Sequence, residues 1–360
     1  MLRRRIGGPA GPLASALALG TLPFGTTVDE KTSFAILDRF VEAGGNLLDT
    51  ANAYAFWVPG GTGDESEATI GRWLAARGVR DEVLISTKAG ARPTVPGTGL
   101  ETAEGLSGAV VTKAAEDSLR RLGTDRLDVY WAHLEDRTVP LEETVEALDS
   151  LVKDGKATVL GCSNHATWRT ERARAVARAG GMTPYTCVQQ RYSYLQPRFD
   201  LSLPESAHVH VTPELLDYLR AESDLTLMAY SALISGAYTR ADKPLPEAYD
   251  HPGSARRLAV LGEVAGELGA TPNQVVLAWL MAGDPPVIPI VGVSSVEQLD
   301  EVLGAAELRL PEELKARLDS ADSGQADRPP YVADRPSRTR STAWARRRTA
   351  SGTARSVRFP

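Results

Sequence analysis

Between about residues 16 and 310, short apolar runs alternate with longer amphipathic ones. The short runs cover 46–51, 83–88, 127–133, 158–162, 187–190, 225–230 and 286–291, and a further one lies near 17–21. Each has strand length. Several are apolar on both faces, as strands of a parallel sheet covered by helices must be. Helical spacing fills the intervals: Leu141, Val145, Leu148 and Val152 recur on one face, and so do Val296, Leu299, Val302 and Leu303. Thr271-Pro272 opens another helix with a cap residue and a proline at its first turn. Eight strand–helix units in about 300 residues predict a closed (β/α)8 TIM barrel over an open doubly wound sheet. The Gly60-Gly61-Thr62-Gly63 stretch lacks the spacing of a dinucleotide-binding fingerprint.

Composition narrows this further. The 360 residues carry a net charge of −6, but the charge is unevenly divided. Residues 328–360 hold nine Arg and one acid, a charge of +8, which leaves −14 for residues 1–327. The expected organisation is a single barrel domain over 1–327 and a disordered, Arg-rich C-terminal tail over 328–360. No apolar run is long enough to span a membrane, and the acidic barrel argues against nucleic acid as main partner. The charged and apolar N-terminal stretch breaks at Gly20 and Pro23, so it reads as a turn into the first strand, and a cytoplasmic location is expected. Cys162 and Cys187 are expected as buried, reduced thiols on neighbouring strands. No metal site is expected, because the His208-Val209-His210 pair lacks a third ligand nearby.

In such a barrel, chemistry gathers at the C-terminal ends of the strands. Those ends carry Asp49, Lys88, His133, Ser163-Asn164, Gln189, Tyr230-Ser231 and Gly292. With Tyr54, five residues after Asp49, four of these suit proton handling. A neighbouring ammonium such as Lys88 favours phenolate and is expected to lower the Tyr54 pKa. Asp49 would hold Lys88, and His133 would polarise or orient a substrate oxygen.

The residues in order are Gly45-Asn-Leu-Leu-Asp49-Thr-Ala-Asn-Ala-Tyr54, Ile85-Ser-Thr-Lys88, Leu127-Asp-Val-Tyr-Trp-Ala-His133, Gly161-Cys-Ser163-Asn164, Val188-Gln189-Gln190 and Ala229-Tyr230-Ser231. In this arrangement the chain resembles the aldo-keto reductase superfamily from about residue 17 to 318. The resemblance implies a catalytic tetrad of Asp49, Tyr54, Lys88 and His133, with Tyr54 as general acid in NAD(P)H-dependent reduction of an aldehyde or ketone to an alcohol. It also implies cofactor contacts from Thr21, Asp49, Ser163, Asn164, Gln189, Tyr230, Ser231, Leu233, Gly292, Ser294, Gln298 and Glu301. Ser231-Ala232-Leu233 stands where relatives carry Ser-Pro-Leu, and no Arg or Lys lies within 286–308 to pair a 2′-phosphate. NADPH is the expected cofactor, with NADH as the alternative.

Phe24, Trp57 and Trp131 are expected to line an apolar substrate pocket, and Arg191 either meets an anionic substrate or makes a surface salt bridge. The 235–252 loop reads as a lid or, with more weight, as a rigid connection. The expected partner is a small-molecule carbonyl compound, taken by a monomer or weak homo-oligomer. A second reading is a cofactor-binding regulatory subunit with little turnover; the complete tetrad favours the enzyme.

Overall fold

The computed structural model describes residues 1–203, 205 and 207–322. The segment 328–360, expected as a tail, lies outside the described residues. The part from Met1 to Asp322 is one compact unit.

Eight parallel strands close into a barrel: β3 (Ala18–Gly20), β4 (Leu47–Asp49), β5 (Leu84–Ala89), β6 (Leu127–Ala132), β7 (Ala157–Ser163), β8 (Cys187–Arg191), β9 (Thr226–Tyr230) and β10 (Val287–Gly292). Each pairs with the next, and β10 returns to β3 through Ile290 opposite Ala18. All eight expected strands are present, within three residues at each end. Their middle residues are buried on both faces, against the helices outside and one another inside.

The helical spacings also hold. Leu141, Val145 and Leu148 are buried on α4 (Leu141–Lys153), and Leu299 and Val302 on α9 (Val296–Leu303). Thr271 caps α8 (Pro272–Met281): its hydroxyl accepts from the Gln274 N–H, and the Gln274 side chain accepts in return from the Thr271 N–H. None of the described helices is long and apolar enough to cross a membrane.

One element is additional. Before the barrel, β1 (Arg3–Arg5) and β2 (Leu13–Ser15) form an antiparallel hairpin. Its Ile6 and Ala14 join the small cluster inside the barrel with Ala18, Leu47, Val129, Trp131, Val159, Met228 and Ile288. The turn expected here is therefore a plug. The 235–252 loop is a pinned connection: the Tyr238 hydroxyl meets Ser193 and accepts from the Leu195 N–H, and the Ala248 carbonyl accepts from the Arg198 N–H.

Candidate active site

The strand register sets the site. Asp49 lies opposite Ser86 and Gly20, Lys88 opposite Trp131, and Ser163 opposite Gln189. Ser86 and Lys88, two residues apart on β5, share a face and both reach Asp49. Lys88 is fully buried. Its Nζ donates to Asp49 Oδ2 at 2.6 Å, to the Thr50 carbonyl at 2.7 Å and to the Tyr54 hydroxyl at 2.7 Å. Asp49 also accepts from the Ser86 hydroxyl at 2.7 Å, from Gln189 Nε2 at 3.0 Å and from Tyr54 at 3.3 Å. Trp131 Nε1 donates to Ser86 Oγ at 2.7 Å, a strut beneath the carboxylate.

His133 stands edge-on to Tyr54, with ring centroids 6.1 Å apart, and its Nδ1 is buried without a partner among the described residues. Its carbonyl accepts from Asn164 Nδ2, which also donates to Ser163 Oγ. Asn164 Oδ1 accepts from the Tyr230 hydroxyl at 2.6 Å and the Val209 N–H at 3.1 Å. Asp49, Tyr54, Lys88, His133, Ser163, Asn164, Gln189 and Tyr230 thus form one contiguous polar group at the barrel's C-terminal end. Ala55, Asn164 and Ser231, which follow Tyr54, Ser163 and Tyr230, all have positive φ (62°, 59° and 51°). Such conformations are costly for residues with a Cβ, and they cluster where side chains must be aimed.

Electrostatics corrects one expectation. Tyr54 is held well above the ordinary phenol range by burial and then by the Asp49 carboxylate. The charge of Asp49 offsets that of Lys88, so the phenol keeps its proton. Lys88 is itself lowered by burial, against the pull of Asp49. His133 is pushed well below its usual value by burial, Lys88 and His208, which leaves a neutral imidazole at pH 7.

Other expected residues lie differently. Phe24 and Trp131 are fully buried, Phe24 in the layer between barrel and helices and Trp131 inside the barrel. Neither lines a pocket wall, a correction to their expected role. Thr21 is also sealed, its hydroxyl donating to the Asp49 carbonyl and meeting Ser66 Oγ, so it has no free face for a ligand. Trp57 is 57% exposed and packs edge-to-face with Phe56 on the Tyr54 loop.

Arg191 makes the salt bridge of the two expected contacts, to the exposed Glu205, but its own guanidinium is buried and donates through Nε to the Tyr249 hydroxyl at 3.1 Å. Near β10, Gly292, Ser294 and Gln298 are exposed, and Gln298 Oε1 accepts from the N–H and hydroxyl of Ser294. Glu301 accepts from Thr271 and Asn273 instead of standing free. Ser231 and Leu233 are half-buried beside Tyr230.

Sequence reasoning passed over Ser86, although its period-two spacing from Lys88 marks it. It weighed His208 only as half of a metal pair, whereas its ring packs against Tyr230 at 4.9 Å and its Nδ1 lies 3.3 Å from Arg191. Among the described residues no group of His, Cys, Asp and Glu is arranged to hold a metal ion. Cys162 and Cys187 are free and buried, and burial pushes both thiols up to about 12.

Fold and site together define a parallel (β/α)8 barrel with a buried Asp–Lys–Tyr cluster at its C-terminal mouth. The chain belongs to the Aldo/keto reductase family, whose family model matches residues 16–323. It is 33% identical over 329 residues to the uncharacterized oxidoreductase YrpG of Bacillus subtilis, covering 90% of this chain and 97% of that one. It is 32% identical to norsolorinic acid reductase stcV of Emericella nidulans, over 84% of this chain and 77% of the relative. It is 30% identical to an aryl-alcohol dehydrogenase [NADP(+)] of Phanerodontia chrysosporium, over 81% and 77%.

Proposed function

We propose that the protein reduces an aldehyde or ketone to an alcohol with a nicotinamide cofactor, NADPH in the first place. The observation that carries this is the triple engagement of the buried Lys88 ammonium by Asp49, Thr50 and Tyr54. It leaves one phenol that holds its proton and has a cation 2.7 Å away to stabilise the phenolate once the proton has left.

The donor set fits the cofactor. Ser163, Asn164 and Gln189 offer a hydroxyl and two amides at the ends of adjacent strands, a match for a carboxamide, and Tyr230 offers an aromatic face. Asn164 and Gln189, now bonded to Tyr230 and Asp49, are the amides that would hold the carboxamide. When bound, the nicotinamide supplies hydride to the carbonyl carbon. Tyr54 gives its proton to the carbonyl oxygen, and Lys88, fixed by Asp49, holds the resulting phenolate. Neutral His133 orients the oxygen by hydrogen bonding without competing as an acid. The aryl-alcohol dehydrogenase [NADP(+)] relative supports NADPH; the absence of Arg and Lys from 286–308 keeps NADH as the alternative.

The test is loss of absorbance at 340 nm with a panel of aldehydes and ketones, using NADPH and NADH separately. Tyr54→Phe should lower kcat by roughly 10²–10⁴-fold while leaving NADPH affinity within a few-fold of the parent. Parent-like turnover by that variant would remove Tyr54 as the acid. Tighter binding of NADH than of NADPH would reverse the cofactor assignment.

A further inference from the structure

Tyr54 belongs to no strand or helix. It stands on the loop between β4 and α2 (Glu65–Arg77), and the two stems of that loop meet at Ala53 and Gly63. Gly63, at φ 91°, lies so close that a Cβ there would stand 3.1 Å from Ala53 Cα and 3.2 Å from the Asn52 carbonyl oxygen. Stems this close make a compact loop that is held by its neck. Beyond the neck the loop has two short turns of its own, from the Val58 N–H to Ala55 and from the Gly61 N–H to Val58.

One side chain fastens both stems. The half-buried Arg92, which follows Lys88 shortly after β5, donates through Nη2 to the Asn52 carbonyl and the Asp64 carboxylate. Its Nη1 donates to the Thr62 carbonyl at 2.9 Å. Among the described residues no other side chain hydrogen-bonds to both Asn52 and the 62–64 stem. Glu65 accepts only from Thr62 and Gly63 on the outgoing side, and Arg121 pairs only with Asp64 there, at 3.3 Å. A guanidinium presents several donors in a fixed fork, which an ammonium or a neutral side chain does not.

A second observation ties this neck to the strand that carries the cation. The Asn52 N–H donates to the Lys88 carbonyl at 3.1 Å, and the Arg92 carbonyl accepts from the Glu104 N–H at 2.8 Å. The Glu104 carboxylate in turn accepts from Asn52 Nδ2 and the Gly90 N–H, both at 2.8 Å. The frame of the Tyr54 loop is thus β5 and the segment after it. Lys88 holds the phenol at its oxygen, 2.7 Å away, but a single hydrogen bond leaves the ring free to swing about that point. The neck fixes the other end.

We infer that Arg92 is a positioning residue for proton transfer from Tyr54: by closing the neck of the loop against β5, it aims the phenol between Lys88 and the substrate oxygen. The inference rests on the reading of Tyr54 as the acid of a carbonyl reductase. Arg92 touches none of the reacting groups and acts only through the loop. A misplacement of about 1 Å at a reacting group costs on the order of 10²-fold in rate.

The experiment compares Arg92→Met and Arg92→Lys with the parent, using NADPH and 4-nitrobenzaldehyde. Without cofactor, amide hydrogen exchange over 52–62 should quicken several-fold in Arg92→Met while the barrel strands keep their protection. In single turnover, counted per bound NADPH, reduction should slow by roughly 10²-fold in Arg92→Met and by less in Arg92→Lys. The NADPH dissociation constant should stay within a few-fold of the parent value. The solvent isotope effect in D2O should rise in both variants, because a misplaced phenol makes proton transfer the slower part of the reaction. A purely structural role lowers the number of active sites and leaves that isotope effect at the parent value; this result overturns the inference, as does unchanged exchange over 52–62. Arg92→Lys keeps a cation beside Asp64 and carries the same comparisons where the methionine variant fails to fold. A parent protein that binds NADPH and reduces no aldehyde removes the reductase reading, and the inference with it.

Discussion

At the site, a single lysine holds the geometry together. Lys88 has no exposed surface, and all three of its hydrogen bonds go to the segment between Asp49 and Tyr54. Lys88→Met keeps the length of the stem but leaves the Asp49 carboxylate buried without its cation. Breaking a buried pair from one side costs about 3–5 kcal/mol, so urea unfolding should show a loss of that order. Asp49→Asn in the Lys88→Met background should recover part of it, because the uncompensated charge is then gone. Additive losses in the double variant would mean that the two residues act independently. The identities of these groups were legible because polar residues at the ends of apolar strands are anomalous. Their charge balance was not. The proximity of Asp49 to the phenol, which keeps Tyr54 protonated, follows from side-chain packing and not from spacing along the chain.

At the scale of elements, the strands were readable because burial on both faces makes them continuously apolar. The hairpin was not readable: β1 is Arg3-Arg4-Arg5, and only Ile6 and Ala14 show an apolar face towards the barrel. Aromatic residues were ambiguous for a related reason. Phe24 and Trp131 are as suitable for a core as for a pocket, and position alone does not decide between them.

Trp131 fills the barrel interior because its neighbour on β7 is glycine. A Cβ at Gly161 would stand 2.3 Å from Trp131 Cε3 and 3.0 Å from the Cys187 carbonyl. Gly161→Ala should therefore displace the indole, lengthen the Trp131–Ser86 hydrogen bond and cost about 1–3 kcal/mol, as overpacking does. Tryptophan fluorescence and the thermal midpoint report these two effects. An unchanged midpoint would show that the indole yields freely and is not a strut for Ser86 and Asp49.

Across the whole molecule, three of the five histidines sit where burial disfavours their charged form. His165 and His210 are lowered to about 4, and His133 is also well below its usual value. In the unfolded chain each takes up a proton near pH 6.5, whereas the folded protein refuses it until the pH is much lower. Between these limits the unfolded state binds more protons, so stability falls as the pH drops from about 6.5 towards 4 and is level above that window. Each such group contributes a slope of up to about 1.4 kcal/mol per pH unit, large against a total stability of roughly 5–15 kcal/mol. His210 is the suitable group to remove. It lies among Tyr192, Phe199 and Tyr249, outside the polar group around Asp49, and its Nε2 has no partner among the described residues. His210→Phe retains an aromatic ring there and loses the proton site, along with the Nδ1 hydrogen bond to the Val211 carbonyl. The variant should start from a different stability at pH 7 but lose less of it on acidification, by about one group's share of the slope. Urea midpoints measured at intervals between pH 7 and pH 4.5 give that slope directly. Parallel curves for parent and variant would mean that His210 takes up its proton in the folded state as readily as in the unfolded one, and that burial does not hold it neutral.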